Sequence, residues 1–425
     1  MADYKKKKIK KSLFHKKKHF KNDAKDSNLD KNRFKFEDGN DKDDDIKVIK
    51  GSKFKRIRRY KIFISIFAFI TLTCLVLSAV LPGGLYENTL NYFATIGSGG
   101  YPTSISGGTI KDVVSNGYYY YVLTDTNITV YSSGGKIVLN EFHGFSNPII
   151  STSATRALLY DQGGNAVNIY NLTGKLHTIN TKDEIITASI SDDGDFVVAT
   201  HSKSYTSTAT VYDNDFNEIY TWNSAKEFIN NVLVDTDGDK LAISTFDVVS
   251  GQYKSKLQIF NFDSASPIHT LDFGNSLVLK IGNTGDGISI ITDDKYNFLD
   301  WSDFNLKSIS FSGEINSFKN ADDGVLLTVN RPNDRSDNNV ILVSDEGEKI
   351  SEIKISDVIT DIHYDGGRVY SLCDTSIFIY NEDGKVLRKG NCNYGTRKIV
   401  VVSSDSVACL NDTEIIQIEI EESEK

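Results

Sequence analysis

The feature that most constrains the fold of this chain is an internal repeat with a period of roughly forty residues. Each copy holds an apolar, strand-like run that ends on a hydrophobic and often aromatic side chain, followed by a polar turn. The equivalent positions are Tyr131, Tyr170, Tyr212, Phe260, Leu299, Val343 and Tyr380. Consecutive positions are separated by 39, 42, 48, 39, 44 and 37 residues. Repetition at this period is typical of proteins that assemble small identical units into a ring or a stack.

A second recurrence is a turn rich in Asp and Gly, which lies upstream of most of these positions. Each turn separates two short apolar runs, and the five clearest copies occupy residues 191–195, 235–239, 283–287, 320–324 and 363–367. Gly and Asp accept the positive φ that tight hairpins require. The flanking runs are typical of strands, and no segment after residue 92 has a convincing helical period.

Each unit therefore holds about four strands in about 42 residues, which is the size of a β-propeller blade. The 340 residues from 86 to 425 accommodate eight such units. The predicted starting points lie near Lys111, Pro148, Ile186, Ile229, Ser276, Asn316, Val358 and Arg397. Seven blades fit instead if the first or last unit is only a cap.

The last unit has room for only three strands, whereas a ring must close because an open edge strand invites aggregation. We expect residues 90–96 to supply the missing outer strand, so that 83–110 form a linker with a closing strand and 111–425 form the repeats. A β-sandwich does not explain the regular spacing, and the coils of a β-helix are shorter. The sequence thus predicts an all-β propeller of about eight four-stranded blades.

One apolar run, residues 62–81, contains no charged residue. At 1.5 Å per residue, about twenty helical residues cover roughly 30 Å, the thickness of a bilayer core. Six Lys and Arg residues lie within 53–61, whereas the first charge beyond the run is Glu87, so the positive-inside rule places the N-terminus in the cytoplasm. A cleaved signal peptide is the alternative, but a long tail precedes the run and small residues at cleavage positions are missing. We predict one transmembrane helix over 61–82, a single-pass cell-membrane protein and an extracellular C-terminal domain.

The formal charge of −9 hides a strong asymmetry along the chain. Residues 1–61 contain 23 basic and 10 acidic residues, a net +13, whereas the remainder contains 25 basic and 47 acidic residues, a net −22. We predict a disordered basic cytoplasmic tail over 1–60, whose lysines either fix topology or contact anionic lipid. Nucleic acid is disfavoured because the lysines have few aromatic neighbours. The charge of −22 disfavours a strongly anionic polymer as ligand unless a local basic patch exists.

These repeats resemble the broad propeller superfamily that includes WD40-like, TolB-like and quinoprotein-like blades. The turn Ser191-Asp192-Asp193-Gly194 is similar to the hairpin turn of TolB-like blades, and the overall layout resembles an uncharacterised bacterial family of single-span envelope proteins with a divergent extracytoplasmic propeller. The chain departs from true WD40 repeats, whose Gly-His and Trp-Asp signatures are missing; its tryptophans are Trp222 and Trp301. The tryptophan docking motif of quinoprotein dehydrogenases is also missing, so the resemblance implies no redox cofactor.

Local motifs for chemistry are weak. The turn at 235–239 begins like a calcium loop, but the twelfth residue from Asp235 is Phe246 rather than Glu, so hairpin chemistry explains it better. The histidines His143, His177, His201, His269 and His363 form no ligand pair in sequence, and no nucleophile elbow, P-loop or dinucleotide fingerprint is found. We therefore assign no catalytic, cofactor-binding or metal residue and expect no cofactor.

Two further groups of residues bear on structure. The run from Tyr118 to Tyr121 is predicted to lie in a strand whose alternating rings fill the wedges on both sides of a blade, although exposed rings could stack on a sugar or a partner. Outside the span, Cys373 could pair with Cys392 or with Cys409, and lone buried thiols fit equally well.

The function that these features favour is a non-enzymatic binding or scaffold module for an envelope protein or a cell-wall glycan. A propeller can also converge distant side chains on its channel without any local motif. The alternative is therefore an envelope hydrolase or lyase with its site in the channel, and fold alone does not decide between the two.

Overall fold

The computed structural model describes residues 52–80, 84–97, 99–236, 238–321 and 324–422. Most of the predicted tail, residues 1–51, lies outside this part of the chain. The helices are α1 (Ser52–Val80) and α2 (Gly84–Thr95). Within the described residues, no helix combines the length and the hydropathy that a membrane crossing requires. The predicted anchor at 61–82 runs past the last described residue of α1 and stays a prediction.

The remaining described residues form eight antiparallel sheets arranged as blades. The strand β1 (Thr103–Ser104) precedes blade 1, which contains β2 (Ile110–Asn116), β3 (Tyr119–Thr124), β4 (Asn127–Ser132) and β5 (Ile137–Phe142). Blade 2 contains β6 (Pro148–Thr152), β7 (Ala157–Asp161), β8 (Ala166–Asn171) and β9 (Gly174–Asn180). Blade 3 contains β10 (Ile185–Ile190), β11 (Phe196–His201), β12 (Ser207–Tyr212) and β13 (Glu218–Ser224). Blade 4 contains β14 (Phe228–Val234), β15 (Lys240–Val249), β16 (Gln252–Asn261) and β17 (His269–Gly274).

The second half of the ring repeats this order. Blade 5 contains β18 (Val278–Thr284), β19 (Gly287–Thr292), β20 (Lys295–Asp300) and β21 (Leu306–Ser310). Blade 6 contains β22 (Glu314–Ala321), β23 (Gly324–Arg331), β24 (Asp334–Ser344) and β25 (Lys349–Ile355). Blade 7 contains β26 (Ile359–Asp365), β27 (Arg368–Cys373), β28 (Ser376–Asn381) and β29 (Val386–Asn391). Blade 8 contains β30 (Lys398–Ser403), β31 (Ser406–Leu410) and β32 (Glu414–Glu419), and β33 (Glu421–Glu422) follows it.

The prediction of eight four-stranded blades is confirmed, and each blade begins within two residues of its predicted start. The seven equivalent positions of the repeat all lie in the third strand of their blades and are buried. The turns rich in Asp and Gly join the first strand of a blade to the second. In the turn of blade 3, Gly194 has a φ of +93°, which favours glycine over residues with a Cβ.

The expectation that residues 90–96 close the ring is wrong, because 90–95 belong to helix α2 and Ile96 directly follows it. The closing strand is β1, in which Thr103 pairs with Ile415 and Ser104 with Glu414 of β32. The residues of α2 that contact the propeller are Glu87, Asn91 and Ala94. They are spaced by four and three residues, whereas the residues on one side of a strand would be two apart. This spacing is that of a helix face, and the mixture of polar and apolar residues concealed it.

The apolar core consists of clusters between neighbouring blades. In β3, Tyr119 and Tyr121 pack between blades 1 and 2, whereas Tyr120 packs between blades 8 and 1. This confirms that alternate rings fill both wedges. Tyr118 differs from the prediction: it lies in the turn before β3 and is 75% exposed.

A disulfide joins Cys392 to Cys409, whose Cα atoms lie 6.3 Å apart, and Cys373 is a buried free thiol. Neither of the two pairings considered for Cys373 forms, and Cys373 is the lone buried thiol that was the alternative. The reason is positional, because Cys373 lies in the core between blades 6 and 7 while the other two lie between blades 7 and 8.

The ring has two distinct faces. First strands of neighbouring blades contact one another and line the central channel. Turns after the first and third strands lie on one face, which we call the helix face because α2 is fixed there. The Glu87 Oε1 atom lies 2.6 Å from Arg156 Nη2, and Lys136 Nζ donates hydrogen bonds to the carbonyls of Ala94 and Ile96. Turns after the second strand and the connections between blades form the opposite, connector face.

We predict that the closing strand contributes strongly to stability. Ile105, which follows β1, is 8% exposed, packs between blades 8 and 1, and donates a backbone hydrogen bond to Thr413. In urea unfolding of the full chain, Ile105→Ala should lower the free energy of unfolding by about 2–5 kcal/mol because it leaves a cavity. The control Ile137→Ala, at a side chain that is 43% exposed in β5, should cost less than about 1 kcal/mol. Equal effects of the two variants would contradict this closure.

Candidate functional site

A group of charged side chains from five blades converges in the channel. Each lies on the first strand of its blade, and the group, which we call the channel cluster, consists of Asp112, Lys280, Lys319, Asp361, His363 and Lys398. Counted by formal charge, the three lysines and two carboxylates give the cluster a net charge of +1. The cluster is therefore a local exception in a part of the chain whose net charge is −22.

Asp361 is the centre of this cluster. Its Oδ1 atom lies 2.5 Å from Lys319 Nζ and 3.7 Å from Lys398 Nζ, and its Oδ2 atom accepts a 3.0 Å hydrogen bond from the Ile399 backbone amide. The side chain is only 2% exposed. Burial opposes its charge, but His363 and the two ammonium groups prevail and hold the pKa of Asp361 far below its ordinary value.

His363 lies beside both charges. Its Nε2 atom is 2.9 Å from Lys319 Nζ and 3.2 Å from Asp361 Oδ2. Burial and the neighbouring Lys319 ammonium lower the pKa of His363, so the ring is neutral at pH 7. The same Nε2 atom faces both neighbours: it donates to Asp361 when it carries the proton and accepts from Lys319 when the proton is on Nδ1.

Two lysines of the cluster are desolvated. Burial lowers the pKa of Lys319 despite its ion pair with Asp361. Burial also lowers the pKa of Lys280. Its side chain is exposed to the channel, but the protein that surrounds the channel reduces the hydration of the ammonium group. Asp112, on the opposite side of the eight-membered ring, raises the pKa of Lys280 across the channel. Among the described residues, no hydrogen bond or ion pair engages the Lys280 ammonium.

An irregularity in strand pairing positions three of these side chains. In β2, β18 and β26 the register shifts immediately before Asp112, Lys280 and Asp361. Such a bulge leaves one residue unpaired and re-aims the next side chain. The same shift recurs in the first strands of blades 3, 4 and 6, so these residues occupy equivalent positions around the ring.

The connector face carries an exposed apolar surface on blade 4. Its second and third strands, β15 and β16, each have ten residues and extend as a long hairpin. The rings of Phe228 and Phe246 stack with centroids 5.6 Å apart, and Phe246 meets Tyr253 edge-on at 6.2 Å. Val248 and Val249 at the hairpin tip, and Tyr253, are 50–54% exposed. We call these five residues the blade 4 hairpin surface; exposed apolar patches of this kind mark interaction sites.

Comparison with known proteins identifies the ring. A family model described as "Family of unknown function (DUF5711)" matches residues 95–420, which include every blade. The chain belongs to the DUF5711 family. No curated protein matches this DUF5711 chain.

Solved structures share the fold of the DUF5711 ring at low identity. The computationally designed Ika8 protein is 12% identical, with a TM-score of 0.55 over 74% of this chain and 98% of its own. A eukaryotic initiation factor is 10% identical, with a TM-score of 0.51 over 78% and 92% of the two chains. The C-terminal WD40 domain of Sif2 is 12% identical, with a TM-score of 0.50 over 76% and 99%. At such identity the likeness shows the fold alone.

The histidines of this DUF5711 protein serve different purposes. His177 and His269 stack on Phe216 and Phe304 of the next blade, in both cases with centroids 4.5 Å apart. His363, by contrast, joins the channel cluster, which the sequence analysis missed. The spacing Asp361-x-His363 on one strand face was the only signal, and it gave no hint of lysines from other blades.

The turn at 235–239, which begins like a calcium loop, forms the hydrogen bonds of a hairpin among its described residues. Asp235 Oδ1 accepts 2.9 Å hydrogen bonds from the backbone amides of Asp239 and Lys240. Burial and the neighbouring Asp239 raise the pKa of Asp235 to about 6. Asp237 lies outside the described residues, and within those residues no group of three or more His, Cys, Asp or Glu is placed to hold a metal ion.

We predict that Asp361→Asn destabilises the ring by about 3–5 kcal/mol, because it leaves buried ammonium groups without their counter-charge. Since folding lowers the pKa of Asp361, its contribution is complete above the unfolded value of about 3.9 and is lost as the pH falls toward the folded value. The gap between wild type and variant in chemical unfolding should therefore shrink in acid.

Asp405→Asn is the matched control for this prediction. Asp405 also faces two cations, Arg388 at 3.2 Å and Arg368 at 3.9 Å, but it is 55% exposed. Its loss should cost no more than about 1 kcal/mol. If both variants had equally small effects, the channel cluster would not be the electrostatic centre of the ring.

Proposed function

We propose that this protein is a single-pass membrane protein whose propeller lies outside the cytoplasm and presents its connector face to an envelope protein or cell-wall glycan. In this proposal the tail, residues 1–60, is cytoplasmic and residues 62–81 form the anchor. The propeller acts as a non-enzymatic binding or scaffold module. The observation that carries the proposal is the chemical difference between the two faces of the ring.

Helix α2 supports a membrane beside the helix face. The side of α2 that docks on the propeller is formed by Glu87, Asn91 and Ala94. The side that faces away carries larger apolar groups, between 51% and 76% exposed: Tyr86, Tyr92, Phe93 and, just after the helix, Ile96. This arrangement is inverted relative to an ordinary surface helix. Aromatic side chains are favoured at the headgroup level of a bilayer, and α2 begins three residues after the apolar run ends.

The disulfide supports a location outside the cytoplasm. Disulfides persist in oxidising compartments and are rare where thiols are kept reduced. The bridge between Cys392 and Cys409 joins blade 8 to the segment that leads into it. It agrees with the positive-inside orientation, in which the basic tail stays in the cytoplasm.

The blade 4 hairpin surface supports a protein partner on the connector face. Aromatic and aliphatic side chains at the tip of a rigid hairpin supply apolar contact area at a low cost in conformational entropy, which is typical of binding hot spots. A glycan remains within the proposal because exposed aromatic rings also stack on sugars.

A second candidate function is an envelope hydrolase or lyase with its site in the channel. One observation favours it: Lys319, His363 and Asp361 lie within 3.2 Å of one another and Lys319 has a lowered pKa. Perturbed titratable groups that converge in a cavity are typical of catalytic sites, and also of structural ion-pair networks.

The membrane topology is tested by protease treatment of spheroplasts that express the full chain with a cytoplasmic N-terminal tag. The propeller should be degraded while a small tagged fragment survives, and detergent should abolish this protection. Cys392 and Cys409 should react with a maleimide only after reduction. Survival of the propeller in intact spheroplasts, with a cytoplasmic marker also intact, would reject the topology.

The partner surface is tested by in-cell crosslinking of the tagged full chain followed by mass spectrometry, beside a glycan-binding and turnover assay. Tyr253→Asp should reduce the capture of specific partners at least about fivefold, since it places a charge in an apolar interface. Tyr118→Asp, at a tyrosine on the helix face that is even more exposed than Tyr253, should leave capture unchanged. Glycan turnover that disappears in Lys319→Met would favour the enzyme instead.

A further inference from the structure

The channel cluster contains one lysine, Lys280, that takes no part in the ion pairs of Asp361. Asp361 serves two ammonium groups, those of Lys319 and Lys398, at 2.5 and 3.7 Å. Lys280 lies on blade 5 and, among the described residues, has no hydrogen-bond or ion-pair partner. Only Asp112 of blade 1 acts on it, from the opposite side of the channel.

The charge count leaves the channel short of negative charge. With His363 neutral, the three lysines outnumber Asp112 and Asp361 by one positive charge. A desolvated ammonium without a partner is unfavourable, and a hydrogen-bonded anion relieves that cost. Burial lowers the pKa of Lys280, which agrees with this cost.

The position of Lys280 makes it accessible to a ligand. It is the third residue of β18, close to the connector face where that strand begins, and its side chain is exposed to the channel. The bulge before Lys280 leaves Leu279 unpaired and fixes the direction of the lysine. Lys280 therefore lies toward the connector-face end of its strand.

We propose that the channel binds a small oxyanion, a carboxylate or phosphate group, with Lys280 as its principal cation. The acidic exterior, with a net −22 over residues 62–425, repels long anionic polymers, whereas a small anion inside the channel feels mainly the nearby lysines. This site is independent of the proposed membrane anchor and of the blade 4 hairpin surface.

The test uses the full chain in lipid nanodiscs, titrated calorimetrically with sodium phosphate and separately with sodium acetate at constant ionic strength. Wild type should bind at least one of the two probes saturably with a stoichiometry of one. Lys280→Met should weaken that binding about tenfold or more, because a hydrogen bond to a charged group contributes about 1.5–3 kcal/mol. Lys280→Arg, which keeps the charge, should retain binding to within a few-fold.

The matched control is Lys349→Met, at an exposed lysine of β25 that pairs with Glu352 outside the channel. It should leave anion binding unchanged. The proposal is overturned if wild type shows no saturable binding of either probe, or if Lys280→Met and Lys349→Met behave alike. Thermal unfolding of each variant distinguishes loss of the site from loss of the fold, and the wild-type titration decides the proposal even if Lys280→Met does not fold.

Discussion

Closure of the ring is the constraint on which the rest of this structure depends. Seven blades complete themselves from consecutive strands, but blade 8 has only three and takes its fourth from β1, some 290 residues earlier in the chain. The Cys392–Cys409 disulfide and the pairing of β33 with β29 hold the other side of blade 8, where it meets blade 7. Because every blade packs on two neighbours, an opening at one interface exposes apolar clusters on both sides.

The closed ring also creates the electrostatics of the channel. First strands that are far apart in sequence share one narrow space, where charges interact more strongly than at the surface. Asp361 can remain ionised at 2% exposure because two ammonium groups and a backbone amide satisfy it. Lys319, Asp361 and Lys398 belong to the three consecutive blades 6, 7 and 8, and closure of the ring brings Asp112 of blade 1 close enough to act on Lys319.

The two faces of the ring differ because helix α2 packs on only one of them, the helix face. Helix α2 uses an ion pair from Glu87 to Arg156 and the Lys136 hydrogen bonds to fix itself on the helix face, with its aromatic side outward. The connector face keeps the mouth of the channel beside Lys280 and the long hairpin of blade 4. The proposed function assigns the helix face to the membrane side and the connector face to the partner.

The sequence by itself determined the period, a propeller of about eight blades, the hairpin turns and the recurring hydrophobic strand-end positions, because strand alternation and turn chemistry are local properties that each blade repeats. It did not determine the closing strand, since the docked side of α2 mixes Glu87, Asn91 and Ala94 and has no clear amphipathic period. It also left the state of the cysteines open, because only the tertiary structure shows that Cys373 belongs to a different interface from Cys392 and Cys409. The channel cluster could not be predicted for the same reason. Ring geometry brings Asp112, Lys280 and Asp361 together, and the register shifts before them orient their side chains. Neither the ring geometry nor the register shifts correspond to a sequence motif.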